Sequence, residues 1–159
     1  MQFKKDVREN LESKPLILIV DNDSDNLLFA SCVVESMEMR YAVVDDSEKC
    51  LDLVYKLSPD LILLDIVMPK VNGLEIARII RQDKNIANIP VIAVTGLTKA
   101  EDKHELIAAG FDDYICKPYL IEELEAKIAI YLKKIWTIRQ SNFEYSDRSS
   151  KIVFDSRIA

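Results

Sequence analysis

The sequence predicts an α/β fold, in which a parallel β-sheet is covered by helices on both faces. Strand-like and helix-like segments alternate five times between residues 16 and 135. The strand-like segments are apolar along their whole length, which is typical of strands buried on both faces. Parallel neighbours need crossover connections, and the intervening helices supply them. We therefore expect a doubly wound sandwich of five parallel strands and five helices.

Five short apolar runs are the predicted strands. They cover residues 16–20, 41–44, 61–64, 91–95 and 114–116. Each run is bounded by polar residues or proline, as expected for short buried strands.

The first two helices are predicted between the first three strands. Residues 24–39 carry apolar side chains at helical spacing. Ser47 can cap the next helix, which ends at Ser58-Pro59.

The other three helices follow the third, fourth and fifth strands. Asn72-Gly73 marks a turn before a helix over residues 74–81. A capping-box pattern, Thr98 to Glu101, opens the next helix, and Gly110 is a good stop for it. The last helix starts after Pro118 and has apolar residues at helical spacing as far as residue 135.

Length and charge favour one cytoplasmic domain. We expect a polar leader at residues 1–14, one folded domain at 15–135 and a tail at 136–159, with no output domain. The chain has no apolar run long enough to cross a bilayer and no secretory signal. Its net charge of −6 gives no reason to expect nucleic-acid binding.

Polar side chains follow four of the predicted strands. Asp21, Asn22 and Asp23 follow the first, and Asp65 follows the third. Thr95 ends the fourth strand and Lys117 follows the fifth. Because the carboxyl ends of parallel strands meet at one edge, we expect these groups to lie together in the crevice where such sheets bind ligands.

The chemistry of this set favours phosphoryl transfer to a carboxylate. Clustered carboxylates suit Mg²⁺, and one further carboxylate can become an aspartyl phosphate. An ammonium and a hydroxyl then stabilise the transferred group. Asp65 is the natural acceptor because it ends the central strand, with Lys117 as the ammonium and Thr95 as the hydroxyl.

Three motifs resemble the receiver domains of response regulators, of the single-domain, chemotaxis-regulator-like kind. They are LILLDIVMPKVNG with Asp65, VIAVTG with Thr95, and AAGFDDYICKP with Lys117-Pro118. The resemblance covers roughly residues 15–134 and implies a flavodoxin-like strand order, 2-1-3-4-5.

The resemblance also implies roles and partners. Mg²⁺ would be held by Asp21, Asn22, Asp65 and the Val67 carbonyl, with Asp23 as a further candidate. Thr95 and Tyr114 would form the switch, and the bond before Pro118 would be cis. The phosphoryl donor would be a histidine kinase or a histidine phosphotransfer protein, and the downstream target would be another protein. The domain would also be able to form a homodimer. The chain would be a phosphoacceptor switch, not an enzyme.

One position departs from the family pattern. The family usually has two adjacent acids after the first strand, whereas this chain has Asp21-Asn22. An amide oxygen can coordinate Mg²⁺ but adds no charge, so affinity should fall. The alternative function is a receiver-like adaptor that binds partners without being phosphorylated.

Two apolar positions suggest a long-lived phosphoryl state. In the family the residues two places after Asp65 and Thr95 flank the phosphoryl group, and here they are Val67 and Leu97. Neither side chain can orient an attacking water by hydrogen bonding, so we predict slow autodephosphorylation. Val67 also argues against a haloacid-dehalogenase-type phosphatase, which needs an acid at that position.

Overall fold

The computed structural model describes residues 14–96 and 100–150. Side chains are described as far as residue 96, from 103 to 135, and at 137. Residues 1–13 of the predicted leader, Leu97, Thr98 and residues 151–159 lie outside the described residues, as does the Glu101 side chain. The predicted capping box is therefore outside this description.

All five strands are parallel and form one sheet in the order β2-β1-β3-β4-β5. The strands are β1 (Leu16–Val20), β2 (Arg40–Val44), β3 (Leu61–Asp65), β4 (Val91–Thr95) and β5 (Asp113–Cys116). This arrangement confirms the predicted fold class and strand order.

Five helices connect or follow the strands. They are α1 (Ser24–Ser36), α2 (Cys50–Leu57), α3 (Gly73–Gln82), α4 (Ala100–Ala109) and α5 (Ile121–Ser150). A short 3₁₀ turn, Ser47–Lys49, precedes α2. None of these helices, within the residues described, combines the length and apolar character needed to cross a membrane.

The sheet separates two apolar layers. Alternate residues of β1 and β3 point to opposite faces: Leu18 and Ile62 pack towards α2 and α3, while Ile17 and Leu61 pack towards α1 and α5. Because both faces are covered, every residue of β3 is buried. This explains why the strand segments are apolar throughout.

The strand register brings the polar strand ends together. Val20 lies opposite Val44 and Leu64, so the residue after β1 emerges beside the end of β3. Asp65 lies opposite Val94, and Thr95 lies opposite Cys116. The groups that follow β1, β3, β4 and β5 therefore meet at one edge.

The start of α2 differs from the prediction. Asp46 caps the 3₁₀ turn that precedes α2, because its carboxylate accepts a hydrogen bond from the Glu48 amide at 3.2 Å. The Ser47 hydroxyl is buried and bonds to the loop after β3 instead. The predicted Ser47 cap is therefore wrong: α2 itself follows Lys49, which makes no side-chain capping bond.

The last helix is longer than predicted. We expected helical character to be lost after Trp136, but the backbone of α5 continues to Ser150. The sequence after Pro118 contains no glycine or proline, so no residue there is a strong helix breaker. The side chains that anchor α5 in the core are Leu124, Ile128 and Leu132.

Arg81 ties the end of α3 to the loops around it. Its guanidinium donates to the carbonyls of Gly110 at 2.7 Å and of Ala87 and Ile89 at 2.8 Å, and it pairs with Asp112. Gly110 has a φ of +98°, and a Cβ there would meet the Arg81 Cγ at 2.4 Å. Gly110 thus ends α4, as predicted, and also makes room for Arg81.

Candidate functional site

Asp21 and Asp65 are buried carboxylates at neighbouring strand ends. Their exposed fractions are 4% and 6%. Lys117 contacts both: its Nζ lies 2.6 Å from Asp21 Oδ2 and 3.5 Å from Asp65 Oδ2. A single ammonium therefore partly neutralises two carboxylates in a cleft with little water, where charge interactions are strong.

The environment of Asp65 acts on its pKa in both directions. Burial raises the pKa of this carboxyl, and the nearby Asp21 charge raises it further. The Lys117 ammonium and the backbone amides of Val67 and Ile66 act the other way. Together these effects leave the pKa of the Asp65 carboxyl raised. A cation bound beside Asp65 would favour the ionised carboxylate, because opposite charges attract.

Asp21 is fixed by its own neighbours. Its Oδ1 accepts hydrogen bonds from the Asp23 amide at 2.9 Å and from Asn26 Nδ2 at 3.4 Å, while Oδ2 faces Lys117. Asn26 was not among the residues predicted to form the site. The sequence signal that could have indicated it is its position in the first turn of α1, close to the end of β1.

Thr95 and Lys117 are held next to each other by the sheet. Thr95 is fully buried, and its carbonyl accepts a hydrogen bond from the Lys117 amide at 2.8 Å. The Lys117-Pro118 bond is cis, which confirms the expectation for this position. The described structure thus brings Asp21, Asp65, Thr95 and Lys117 to the same strand edge.

Asn22 and Asp23 differ in their surroundings from Asp21. Both are exposed. Asp23 caps α1: its Oδ1 accepts from the amides of Asp25 at 2.8 Å and Asn26 at 3.1 Å. One carboxylate oxygen of Asp23 is therefore committed to the helix end, which limits this residue as a replacement for a second metal-binding acid.

Gly73 permits the close approach of α3 to the acceptor strand. A Cβ at this position would lie 2.2 Å from the Asp65 carbonyl oxygen, and the Gly73 amide donates to the Ile66 carbonyl at 2.9 Å. The sequence indicated only a turn at Asn72-Gly73. Asn72 caps α3 by accepting a hydrogen bond from the Glu75 amide at 3.0 Å. Gly73 is needed for a separate reason, which is that a side chain there would clash with the end of β3.

The remaining predicted residues lie around the rim. Val67, two residues after Asp65, is 68% exposed. Tyr114 is half-buried, with the ammonium groups of Lys103 and Lys127 at 5.2 and 5.7 Å from its ring centre. Leu97, the second residue predicted to tune phosphoryl lifetime, lies outside the described residues.

The donor set suits a hard divalent cation. Two buried carboxylates, Asp21 and Asp65, supply oxygen ligands, and the Val67 carbonyl and the Asn22 amide are the further protein oxygens nearby in sequence. Among the residues described, no three acidic, histidine or cysteine side chains form a metal-binding group. This pattern fits Mg²⁺, which keeps several waters and uses few carboxylates.

Comparison with known proteins identifies the family. The family model for the response regulator receiver domain matches residues 17–129, well over half of the chain. This chain belongs to the response regulator receiver domain family. Receiver domains are switches of two-component systems that receive phosphoryl groups from histidine kinases and generally bind Mg²⁺ at the phosphorylation site.

Individual relatives agree with this assignment. The DNA-binding dual master transcriptional regulator RpaA of Synechocystis is 35% identical over 129 residues, 80% of this chain and 53% of that protein. The DNA-binding response regulator MtrA of Mycobacterium tuberculosis is 33% identical over 118 residues, 74% of this chain and 50% of that protein. The chain thus spans about half the length of these curated relatives.

A solved receiver domain matches in structure as well. The Francisella response regulator 1452 receiver domain is 30% identical and superposes with a TM-score of 0.71. The match covers 76% of this chain and 98% of that one. The receiver fold is therefore present here nearly in full.

Proposed function

We propose that this receiver domain accepts a phosphoryl group on Asp65 and signals through altered protein–protein contacts. The observation that carries the proposal is the contact of Lys117 with both Asp21 and Asp65 at the buried strand edge. This contact supports the proposal because it brings two carboxylates and an ammonium together in a chain of the receiver domain family, and one of these carboxylates can act as the nucleophile.

The phosphoryl donor is a phosphohistidine on a histidine kinase or a phosphotransfer protein. An Asp65 Oδ attacks phosphorus, the P–N bond breaks, and the leaving imidazole takes up a proton. Lys117 stabilises the negative charge on the transferred oxygens, and Thr95 supplies a hydroxyl to the same group. Thr95 and Tyr114 then form the switch that changes the binding surface.

Mg²⁺ is the cofactor we assign to this step. Asp21, Asp65 and the Val67 carbonyl would hold it, with Asn22 as a neutral fourth protein ligand. Asp23 is less available, because one of its carboxylate oxygens caps α1. When bound, Mg²⁺ neutralises charge on the phosphoryl group. Asp21 is oriented for this role by the Asp23 amide and Asn26, because both donate to its Oδ1.

The phosphoryl state is proposed to last long. Val67 is exposed beside Asp65 and has no group that orients water. Autodephosphorylation by this domain is therefore slow. The output is a target protein, and homodimer formation is part of this proposal. Cytoplasmic location, single-domain organisation and the lack of nucleic-acid binding stay predictions, since the relatives named above are DNA-binding regulators.

Intact mass measurement tests the function. Wild-type protein treated with Mg²⁺ and acetyl phosphate should gain one phosphoryl group, and Asp65→Asn should gain none. Lys117→Ala is the second variant, and its gain should be much slower. If the wild type gains no mass at any Mg²⁺ concentration, the switch proposal fails.

The alternative function is an adaptor that is never phosphorylated. The specific observation in its favour is the metal site: Asn22 brings no charge, and Asp23 caps α1. An adaptor would bind its target equally well as wild type and as Asp65→Asn, with or without acetyl phosphate. For a switch, acetyl phosphate should change the target affinity of the wild type and leave that of Asp65→Asn unchanged.

A further inference from the structure

Ser47 makes two hydrogen bonds to the loop that follows the acceptor. This loop, residues 66–72, connects β3 to α3. The Ser47 hydroxyl donates to the Pro69 carbonyl at 2.7 Å and accepts from the Val71 amide at 3.2 Å. Its exposed fraction is only 5%. A serine hydroxyl can donate and accept at once, so one side chain holds two points of the loop.

Ion pairs reinforce the same connection from the solvent side. Lys70 Nζ lies 2.8 Å from Glu48 Oε2 and 3.3 Å from Asp46 Oδ1. Lys70 has a left-handed backbone with a φ of +68°. Asp46, Ser47 and Glu48, with their partners Pro69, Lys70 and Val71, form what we call the clamp. The clamp joins the β2–α2 turn to the loop 66–72.

Near Asp65 the loop is held by its backbone, because the amides of Ile66 and Val67 hydrogen-bond to the Asp65 carboxylate. The Val67 side chain is 68% exposed and adds no anchor, whereas Met68 is buried. The Gly73 amide closes the loop on the Ile66 carbonyl. The clamp therefore fixes the outer half of the loop, between Met68 and Asn72, from a different part of the sheet edge.

We propose that the clamp, chiefly Ser47, is a positioning device that keeps the Val67 carbonyl in place for Mg²⁺ binding beside Asp65. Ser47 touches neither the metal nor the phosphoryl group and acts only through loop 66–72. The inference rests on the proposed function, because it assigns the metal-binding backbone of that same site. Removing the hydroxyl leaves the Pro69 carbonyl and the Val71 amide with their bond to each other, at 2.9 Å, but takes away the buried link between the loop and the β2–α2 turn, which frees the loop to shift.

The test compares Ser47→Ala with Ser31→Ala. Ser31 is a matched control because it is also buried, at 6% exposed, and donates one hydrogen bond, to the Leu28 carbonyl at 2.9 Å within α1. Mg²⁺ affinity is measured by NMR titration without any phosphoryl donor. Amide hydrogen exchange at Val71 and the Mg²⁺ dependence of phosphorylation by acetyl phosphate are the other two readouts.

The clamp predicts a specific pattern. Ser47→Ala should bind Mg²⁺ roughly tenfold more weakly, the size typical of losing a residue that orients a metal ligand. Exchange at Val71 should rise while β3 amides keep their protection. Ser47→Ala should need more Mg²⁺ than the wild type to reach half of its maximal phosphorylation rate, but its rate at saturating Mg²⁺ should equal that of the wild type. A variant that was merely less folded would have a lower rate at saturating Mg²⁺ as well. Ser31→Ala should match the wild type in all three.

Two outcomes separate this inference from the proposed function. If the wild type is phosphorylated but Ser47→Ala has unchanged Mg²⁺ affinity and Val71 exchange, the clamp is refuted. If the wild type is never phosphorylated, the proposed function fails, and the NMR titration still decides on the clamp. Should Ser47→Ala not fold, the exposed Lys70→Met replaces it; faster Val71 exchange with weaker Mg²⁺ binding supports the clamp, and no change in either overturns it.

Discussion

At the scale of single residues, Asn22 would limit the negative charge of the proposed metal site. The two buried carboxylates, Asp21 and Asp65, already share Lys117, and Asp23 is engaged at the start of α1. An added carboxylate at position 22 would therefore be the most direct way to strengthen the site.

We predict that Asn22→Asp binds Mg²⁺ about tenfold more tightly, because a charged oxygen replaces a neutral one. Asn22 is exposed, so the change should leave the free energy of unfolding nearly unaltered. Calorimetric titration with Mg²⁺ measures the change in affinity. Asp23→Asn is the control, since asparagine also caps helices well; a large loss of Mg²⁺ affinity in that variant would show that Asp23 is a ligand after all.

Val67 and Leu97 are the residues predicted to govern phosphoryl lifetime. The variant Val67→Asn with Leu97→Glu adds polar groups that can orient water at the phosphoryl group. Phosphate loss should accelerate by at least about tenfold, since a well-positioned general base contributes roughly 10²–10⁴. The decay of phosphorylated protein after removal of acetyl phosphate gives the rate. Leu28→Asn, at an exposed site on α1, is the control. Unchanged decay in the double variant would refute the assignment.

At the scale of elements, α3 approaches β3 too closely for any side chain at its first residue. The nearest atom to a Cβ on Gly73 is the carbonyl oxygen of Asp65, so crowding there acts directly on the acceptor backbone. Gly96 offers a contrast, because a Cβ there meets nothing within 4 Å.

Gly73→Ala should therefore lower the free energy of unfolding by about 1–3 kcal/mol, as overpacking does, and should slow phosphorylation. Urea denaturation and the acetyl phosphate assay measure the two effects. Gly96→Ala should keep wild-type stability. Equal stability of the two variants would show that α3 can move away from β3 without cost.

At the scale of the whole molecule, the sequence predicted the architecture because its signals were repeated. Five apolar runs with polar strand ends define a parallel sheet, and burial on both faces of β3 is the physical cause of that pattern. The four central site residues were predictable for the same reason, since the register of β1, β3, β4 and β5 places them at one edge.

The parts that were missed depend on contacts between distant segments. Ser47 resembled a helix cap locally, but the nearby loop offered its hydroxyl two partners. Asn26, Gly73 and Arg81 matter through groups that lie next to them only after folding. Local periodicity carries no information about such pairs. The length of α5 was missed because the serine-rich sequence after Trp136 lacks helical periodicity, although it contains no glycine or proline that would break a helix.

The anchoring of Gly110 by Arg81 has a mechanical consequence. The C-terminal end of α4 is tied to α3 through that guanidinium, and the Phe111 amide bonds back to the Leu106 carbonyl. A helix of 10 residues is a lever about 15 Å long. Because its far end is held, we expect α4 to pivot about Gly110 more readily than it translates. A small displacement originating near Thr95 would then be largest at the end of α4 that follows β4.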